Sequence, residues 1–268
     1  MINIDSHVHL GKDDRLGYEL TLEELEHVIQ VHNIDYAVVF PCPWDSSNPT
    51  YVRRNKEIIE AAMQFSNLIP AFMINPLSSD SIKAIRNLVE NSEGVKAFKF
   101  YPPAQNYAPQ MIIGSEIWNL AISYKLPLIF HTSKIYEETA GILDVAEKYP
   151  YPVIAAHAFR LHKDLLTKAS TIPNLYVDIS PMNTLISLVD SLAVSKQIMP
   201  LELQNASLTP EFVTRYLFNL MDSRLIWGSD LPWSANLSNA EGEWNFLPKL
   251  DFGIVEKMMR NAESIFLA

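Results

Sequence analysis

The stretch INIDSHVHLG places Asp5, His7 and His9 on alternate positions near the end of an apolar run. Strand side chains alternate between faces, so this spacing predicts three polar groups crowded on one side. Burying them calls for a compensating charge. Polar residues also close other apolar runs: Lys99 in VKAFKF, His131 in PLIFHT, His157 in PVIAAHA and Asp230 in RLIWGSD. Imidazole nitrogens and carboxylates suit zinc, with manganese or iron also feasible. His7, His9, His131 and Asp230 can therefore surround one divalent ion and leave a position for water. The ion's field would lower the pKa of that water from about 15.7 to about 7, giving hydroxide at neutral pH.

Such residues can meet only if the elements carrying them end at a common place. Eight short apolar runs read as strands: INIDSHV, DYAVVF, LIPAFMI, VKAFKF, PLIFHT, PVIAAHA, NLYVDI and RLIWGSD. Amphipathic stretches between them, such as TLEELEHVIQVHN, VRRNKEIIEAAMQF and YEETAGILDVAEKY, read as helices. Alternating strands and helices predict an α/β fold, a (β/α)8 TIM barrel in one domain spanning 1–268, whose strand C-termini converge on one rim. Thr21 and Glu24 have the spacing of a capping box, and Gly94 divides the third helix from the fourth strand. Two segments exceed an ordinary connection. Residues 179–213 hold a Leu- and Met-rich helical insertion, and residues 231–250 carry Trp233, Trp244 and Phe246. Both follow strand C-termini, so they are expected to wall the barrel mouth or to pack outside it.

Hydrophobic residues at 48% and charged residues at 19% give a globular balance with enough apolar side chains for a core. The net charge of −10 and the scattering of 21 basic residues disfavour nucleic-acid binding. Neither a signal-peptide pattern nor an apolar run of membrane length occurs, so a cytoplasmic protein without a membrane partner is expected. The single cysteine, Cys42, excludes an internal disulfide and is read as a passive loop thiol. His27, His32 and His162 fall on helical segments without convergent partners and read as surface residues. No glycine-rich nucleotide signature is present.

Together these residues resemble the amidohydrolase superfamily, in particular its amidohydrolase-2, or amidohydrolase-related, branch. DSHVH resembles the family's Asp-x-His-x-His opening, IFHTS its fifth-strand His, AAHAF its sixth-strand His and WGSDLPW its eighth-strand motif. The resemblance covers essentially the whole chain. It implies that His7, His9, His131 and Asp230 hold or approach a divalent metal, and that His157 polarises a substrate oxygen or holds a second metal. Asp230 would also shuttle the proton of the attacking water, while Asp5 would support the histidine pair from behind. The sixth-strand motif is often His-x-Gly-Gly in relatives, whereas this chain has HAFRLH, with Phe159 and Arg160 in place of small residues. Arg160 reads either as a surface ion pair or as a contact for a substrate carboxylate, and Trp233 as a substrate contact. VKAFKFYPP resembles a motif whose lysine is carbamylated between two metals in dihydroorotase-like relatives. One metal is expected here, and Lys99 is read as a ligand of a second metal, an anion contact or a rim salt bridge.

The resemblance favours metal-dependent hydrolysis of a small amide, ester or lactone. The alternatives are a nonoxidative decarboxylase, hence a lyase, acting on an aromatic or unsaturated carboxylic acid, and a noncatalytic barrel that binds a small molecule. The apolar stretches of 179–213 fit either a homodimer interface or completion of the core.

Overall fold

The computed structural model describes residues 1–44, 51–91, 94–190, 197–237 and 240–268. Its strands are β1 (Ile4–Lys12), β2 (Glu19–Leu20), β3 (Tyr36–Pro41), β4 (Leu68–Ile74), β5 (Ala97–Phe100), β6 (Leu128–Phe130), β7 (Val153–Ala155), β8 (Leu175–Asp178) and β9 (Leu225–Ile226). The helices, in order, are α1 (Leu22–Val31), α2 (Val52–Gln64), α3 (Ser79–Asn91), α4 (Pro102–Gln105), α5 (Glu116–Ser123), α6 (Tyr136–Lys148) and α7 (Lys163–Ala169). They continue with α8 (Met182–Asp190), α9 (Leu201–Gln204), α10 (Pro210–Leu220), α11 (Trp233–Leu237), α12 (Ala240–Asn245) and α13 (Phe252–Phe266). Each apolar run singled out in the sequence contributes a strand. The short β2, not anticipated, pairs antiparallel with the end of β1.

The nine strands form one curled, mostly parallel α/β sheet in the order β2-β1-β3-β4-β5-β6-β7-β8-β9. The chain beyond β9 returns to β1: Ser6 N donates to Trp227 O at 3.0 Å, Asp230 N to His7 O at 2.8 Å and His9 N to Leu231 O at 2.8 Å. Ile4, Val38, Phe40, Ile69, Ala71, Ala97, Ile129, Ile154 and Ile226 fill the concave side as one apolar cluster, joined by Ile265 and Phe266 of α13. The larger cluster lies between the sheet and the helices. This two-sided burial explains why the strands are continuously apolar rather than alternating.

Local signals account for the boundaries. Thr21 caps α1 by accepting from Glu24 N, and the Glu24 side chain accepts from Thr21 N, completing the capping box. Gly94 takes φ +136° ahead of β5, a backbone state costly for other residues. Within the described part of 179–213, Ile179, Met182, Leu185, Ile186, Met199 and Leu203 are buried in the larger cluster.

The structure corrects the simple alternation expected of β1. Asp5 lies opposite Ala37, but Val8 lies opposite Val39, so β1 carries one extra residue between them. Such a bulge switches the facing of the later residues in the strand. Asp5 shares the helix-facing side with Ala37, while His9 shares the inner side with Phe40.

Candidate metal centre

The inner ends of β1, β5 and β8 and the turn after β9 bring His7, His9, Lys99, Asp178 and Asp230 together, all buried. His7 Nε2 lies 3.3 Å from His9 Nε2, 3.3 Å from Asp230 Oδ1 and 3.2 Å from Lys99 Nζ. His9 Nε2 is 3.6 Å from the same Asp230 oxygen. One ligand atom from each of His7, His157 and Asp230 falls within a mutual spread of 4.8 Å.

Tautomers follow from the outer nitrogens. His9 Nδ1 is 3.0 Å from Pro41 O, and His157 Nδ1 is 2.6 Å from Ser180 O. A carbonyl only accepts, so both Nδ1 atoms carry the hydrogen. His7 Nδ1 is 2.5 Å from Asp178 Oδ2, a carboxylate that also accepts from Ser180 N at 2.8 Å and from Ser180 Oγ at 2.9 Å. As acceptor it leaves the hydrogen on His7 Nδ1. His7, His9 and His157 therefore all present bare Nε2 lone pairs. Burial holds these imidazoles well below their usual pKa; Lys99 and Arg160 push His7 and His157 further down, and His7 and Lys99 do so for His9. Two neutral nitrogens, His7 Nε2 and His9 Nε2, face one another across 3.3 Å with no hydrogen between them; Lys99 Nζ offers a donor to the first, and a cation between them would satisfy both. Ligand atoms around a tetrahedral ion with bonds of about 2.1 Å lie about 3.4 Å apart, so the donor set fits a divalent ion.

The charged groups obey the same physics. Burial raises the Asp230 carboxyl well above its usual value, opposed by Lys99, and pushes Asp178 up to about 7 against its Ser180 hydrogen bonds. Burial also lowers Lys99 to about 8; its ammonium lies 4.6 Å from the Phe40 ring centre. Asp5, raised to about 7 by burial, accepts from Ser229 N at 2.9 Å and His7 N at 3.2 Å. It therefore fixes backbone rather than imidazole rings. Gly228 allows this close approach: a Cβ there would stand 2.5 Å from His7 Cβ.

His131 occupies the next position outward. Its Nδ1 is 2.9 Å from His157 Nε2, its Nε2 is 3.4 Å from Arg160 Nη2, and the Tyr101 ring meets it edge-on at 4.0 Å. The structure thus seats His131 against His157 and not directly on His7 or Asp230. Trp233 packs edge-on against His9 at 4.3 Å, which brings the 231–250 segment to the site. Glu243 from the same segment is fully buried and accepts from Asn183 N at 3.0 Å, at the start of α8.

Arg160 is not part of a surface ion pair. It follows β7 in a turn where His157, Ala158, Phe159, Arg160 and Leu161 all have positive φ, between 48° and 59°. The turn adopts a left-handed backbone that glycine takes readily, using five residues that do not. His32 also differs from the surface reading: it stacks on Trp244 at 4.1 Å and 8°. Asp178 and Ser180 were missed. The only signal for them was the polar DIS closing the apolar run NLYV, which equally describes a strand-end cap.

The amidohydrolase family model matches residues 4–266, and the chain belongs to this family. No curated protein matches it significantly. Among solved structures, an uncharacterised TIM-barrel protein of Bordetella bronchiseptica is similar at TM-score 0.67 and 12% identity, covering 98% of each chain. A 5-carboxyvanillate decarboxylase of Novosphingobium aromaticivorans, solved with bound manganese, has TM-score 0.67 and 11% identity over 100% of this chain and 97% of that one. The apo IDCase of Metarhizium anisopliae has TM-score 0.58 and 12% identity, covering 99% and 97%. At these identities the likeness concerns the fold. No helix among the described residues is long and apolar enough to cross a membrane.

Proposed function

We propose that this chain is a metal-dependent hydrolase of a small amide, ester or lactone, built on a closed (β/α)8 barrel. The observation that carries this reading is the pair of locked tautomers that turns the bare Nε2 atoms of His7 and His9 inward beside Asp230. His7, His9 and Asp230 would hold the ion, most simply zinc, with His131 packed against His157 one position further out. A divalent ion there provides Lewis acidity and makes water acidic enough to attack a carbonyl near neutral pH.

The chain's own groups handle the proton and the substrate. Asp230, a carboxyl whose burial favours proton uptake, accepts the proton of the attacking water and returns it to the leaving group. His157, anchored through Nδ1 on Ser180 O and held against His131 Nδ1 through Nε2, fixes the imidazole pair that would wall the substrate oxygen. Trp233 and Tyr101 exclude water from the approach to His9 and His131.

The test is elemental analysis of protein purified without added metal or chelator, followed by a hydrolysis screen. About one equivalent of metal, lost in His7→Ala and Asp230→Ala, is expected. Absence of metal even after supplementation would overturn the reading.

The edge-on aromatic walls also suit a planar substrate, which supports a second reading as a nonoxidative decarboxylase of an aromatic acid. Carbon dioxide release from such an acid, without hydrolysis of any ester or amide in the screen, would select it.

A further inference from the structure

Arg160 is held beside the candidate metal centre in a way that the proposed chemistry leaves unused. Its Nε donates to Thr132 O at 3.1 Å and its Nη2 lies 3.4 Å from His131 Nε2. Among the described residues, Nη1 has no protein acceptor and no carboxylate lies within ion-pair distance of the guanidinium. Arginine stays charged and offers five donors in a planar fork that matches a carboxylate. Arg160 is half-buried at the edge of the site, so its remaining donors are open to water or to an anion that enters there. Its backbone carries a cost, since left-handed conformations are unfavourable by about 1–2 kcal/mol per ordinary residue. A cation meant for solvent needs no such turn.

Lys99, the other cation of the site, is differently placed: its Nζ is engaged by His7 Nε2 and lies over Phe40. His131 stands between Arg160 and His157, so an anion on Arg160 would lie one imidazole away from the inward-facing donors. Tyr101, edge-on to His131, supplies an apolar wall at the same level.

We infer that Arg160 anchors a carboxylate that the substrate keeps through the reaction, so the substrate class is a small anionic acid with its reacting group next to that carboxylate. For hydrolysis this means an acyl compound or lactone carrying a free carboxylate; for decarboxylation, a diacid. The reaction assignment rests on the reading above, whereas the anion site does not.

The test is calorimetric titration with benzoate and with its neutral counterpart benzamide, on metal-loaded and on chelator-treated protein. The wild type is expected to prefer benzoate in both forms. Arg160→Met is expected to weaken benzoate at least about tenfold and leave benzamide unchanged. Arg160→Lys keeps the charge but not the fork, so it should weaken benzoate by a smaller factor, and it decides the matter if Arg160→Met does not fold. Equal benzoate affinity in wild type and Arg160 variants would overturn the inference. So would a wild type without preference for benzoate, or a loss seen with Lys99→Met and not with Arg160→Met. A protein that binds no metal yet shows the Arg160-dependent preference would reject the metal reading alone.

Discussion

His7 Nδ1 lies 2.5 Å from Asp178 Oδ2, joining the first strand to the eighth through the interior of the sheet. The contact sets which nitrogen of His7 faces inward. Removing a carboxylate that orients a ligating imidazole typically costs about 10–100-fold in metal affinity. Asp178→Ala should show that loss in competition with a chromophoric chelator. Unchanged affinity would remove the orienting role.

In the proposed reaction Asp230 serves both the ion and the proton. Asp230→Asn retains shape but cannot take up a proton, so turnover should fall by roughly 10²–10⁴-fold while thermal unfolding stays cooperative. Steady-state kinetics on a substrate from the screen would measure this, and near-normal turnover would reassign the proton carrier.

Gly228 is required by packing. A methyl group there would approach His7 N to 2.7 Å as well as the His7 side chain. Gly228→Ala should destabilise the protein by about 1–3 kcal/mol, as overpacking does, and lower its metal content. Denaturant unfolding and elemental analysis check the two parts separately.

Glu243 predicts a pH dependence of stability. Burial raises its carboxyl from 4.5 to about 7, against hydrogen bonds from the start of α8. The folded state therefore keeps a proton that the unfolded state releases above its lower pKa. This group's contribution is complete below 4.5 and declines as pH rises through about 7, by on the order of 2–3 kcal/mol. Glu243→Gln should flatten the difference in unfolding free energy between pH 5 and pH 8 relative to the wild type. An identical slope in the variant would mean that other carboxyls produce it.

The turn after β7 stores strain that glycine can release. Ala158 sits at φ 48°. Ala158→Gly should raise stability by up to about 1 kcal/mol, the αL penalty less the entropy gained by the unfolded chain. Urea unfolding with an unchanged m value would show it, and a loss of stability would mean that the buried methyl outweighs the strain.

The strands were legible in the sequence because two-sided burial writes itself as apolar runs, from DYAVVF to RLIWGSD. His7, His9, His157 and Asp230 were legible jointly, because imidazoles and a carboxylate close several such runs that must end at one place, although each alone could be a cap or a satisfied core group. Asp178 was not, since its partner is His7, whose facing depends on a bulge that no residue of β1 announces. Arg160 read as equally suited to the surface because left-handed backbone is signalled by glycine, and none is present in HAFRLH. His32 looked exposed on its helix because its neighbour Trp244 arrives from a distant segment.

The hydrogen bonds between β1 and the chain after β9 have a consequence for biosynthesis. His7 and Asp230 are held together by the bond from Asp230 N to His7 O, although most of the chain separates them. At about 5–20 residues per second, the two leave the ribosome on the order of ten to forty seconds apart. Through that interval the emerging histidine pair can gain its β3 neighbour but has neither Asp230 nor the backbone bonds from the chain after β9. On the proposed reading, ion loading comes late, after the chain has been made through residue 230, and a truncated product would retain the histidines but not the whole donor set.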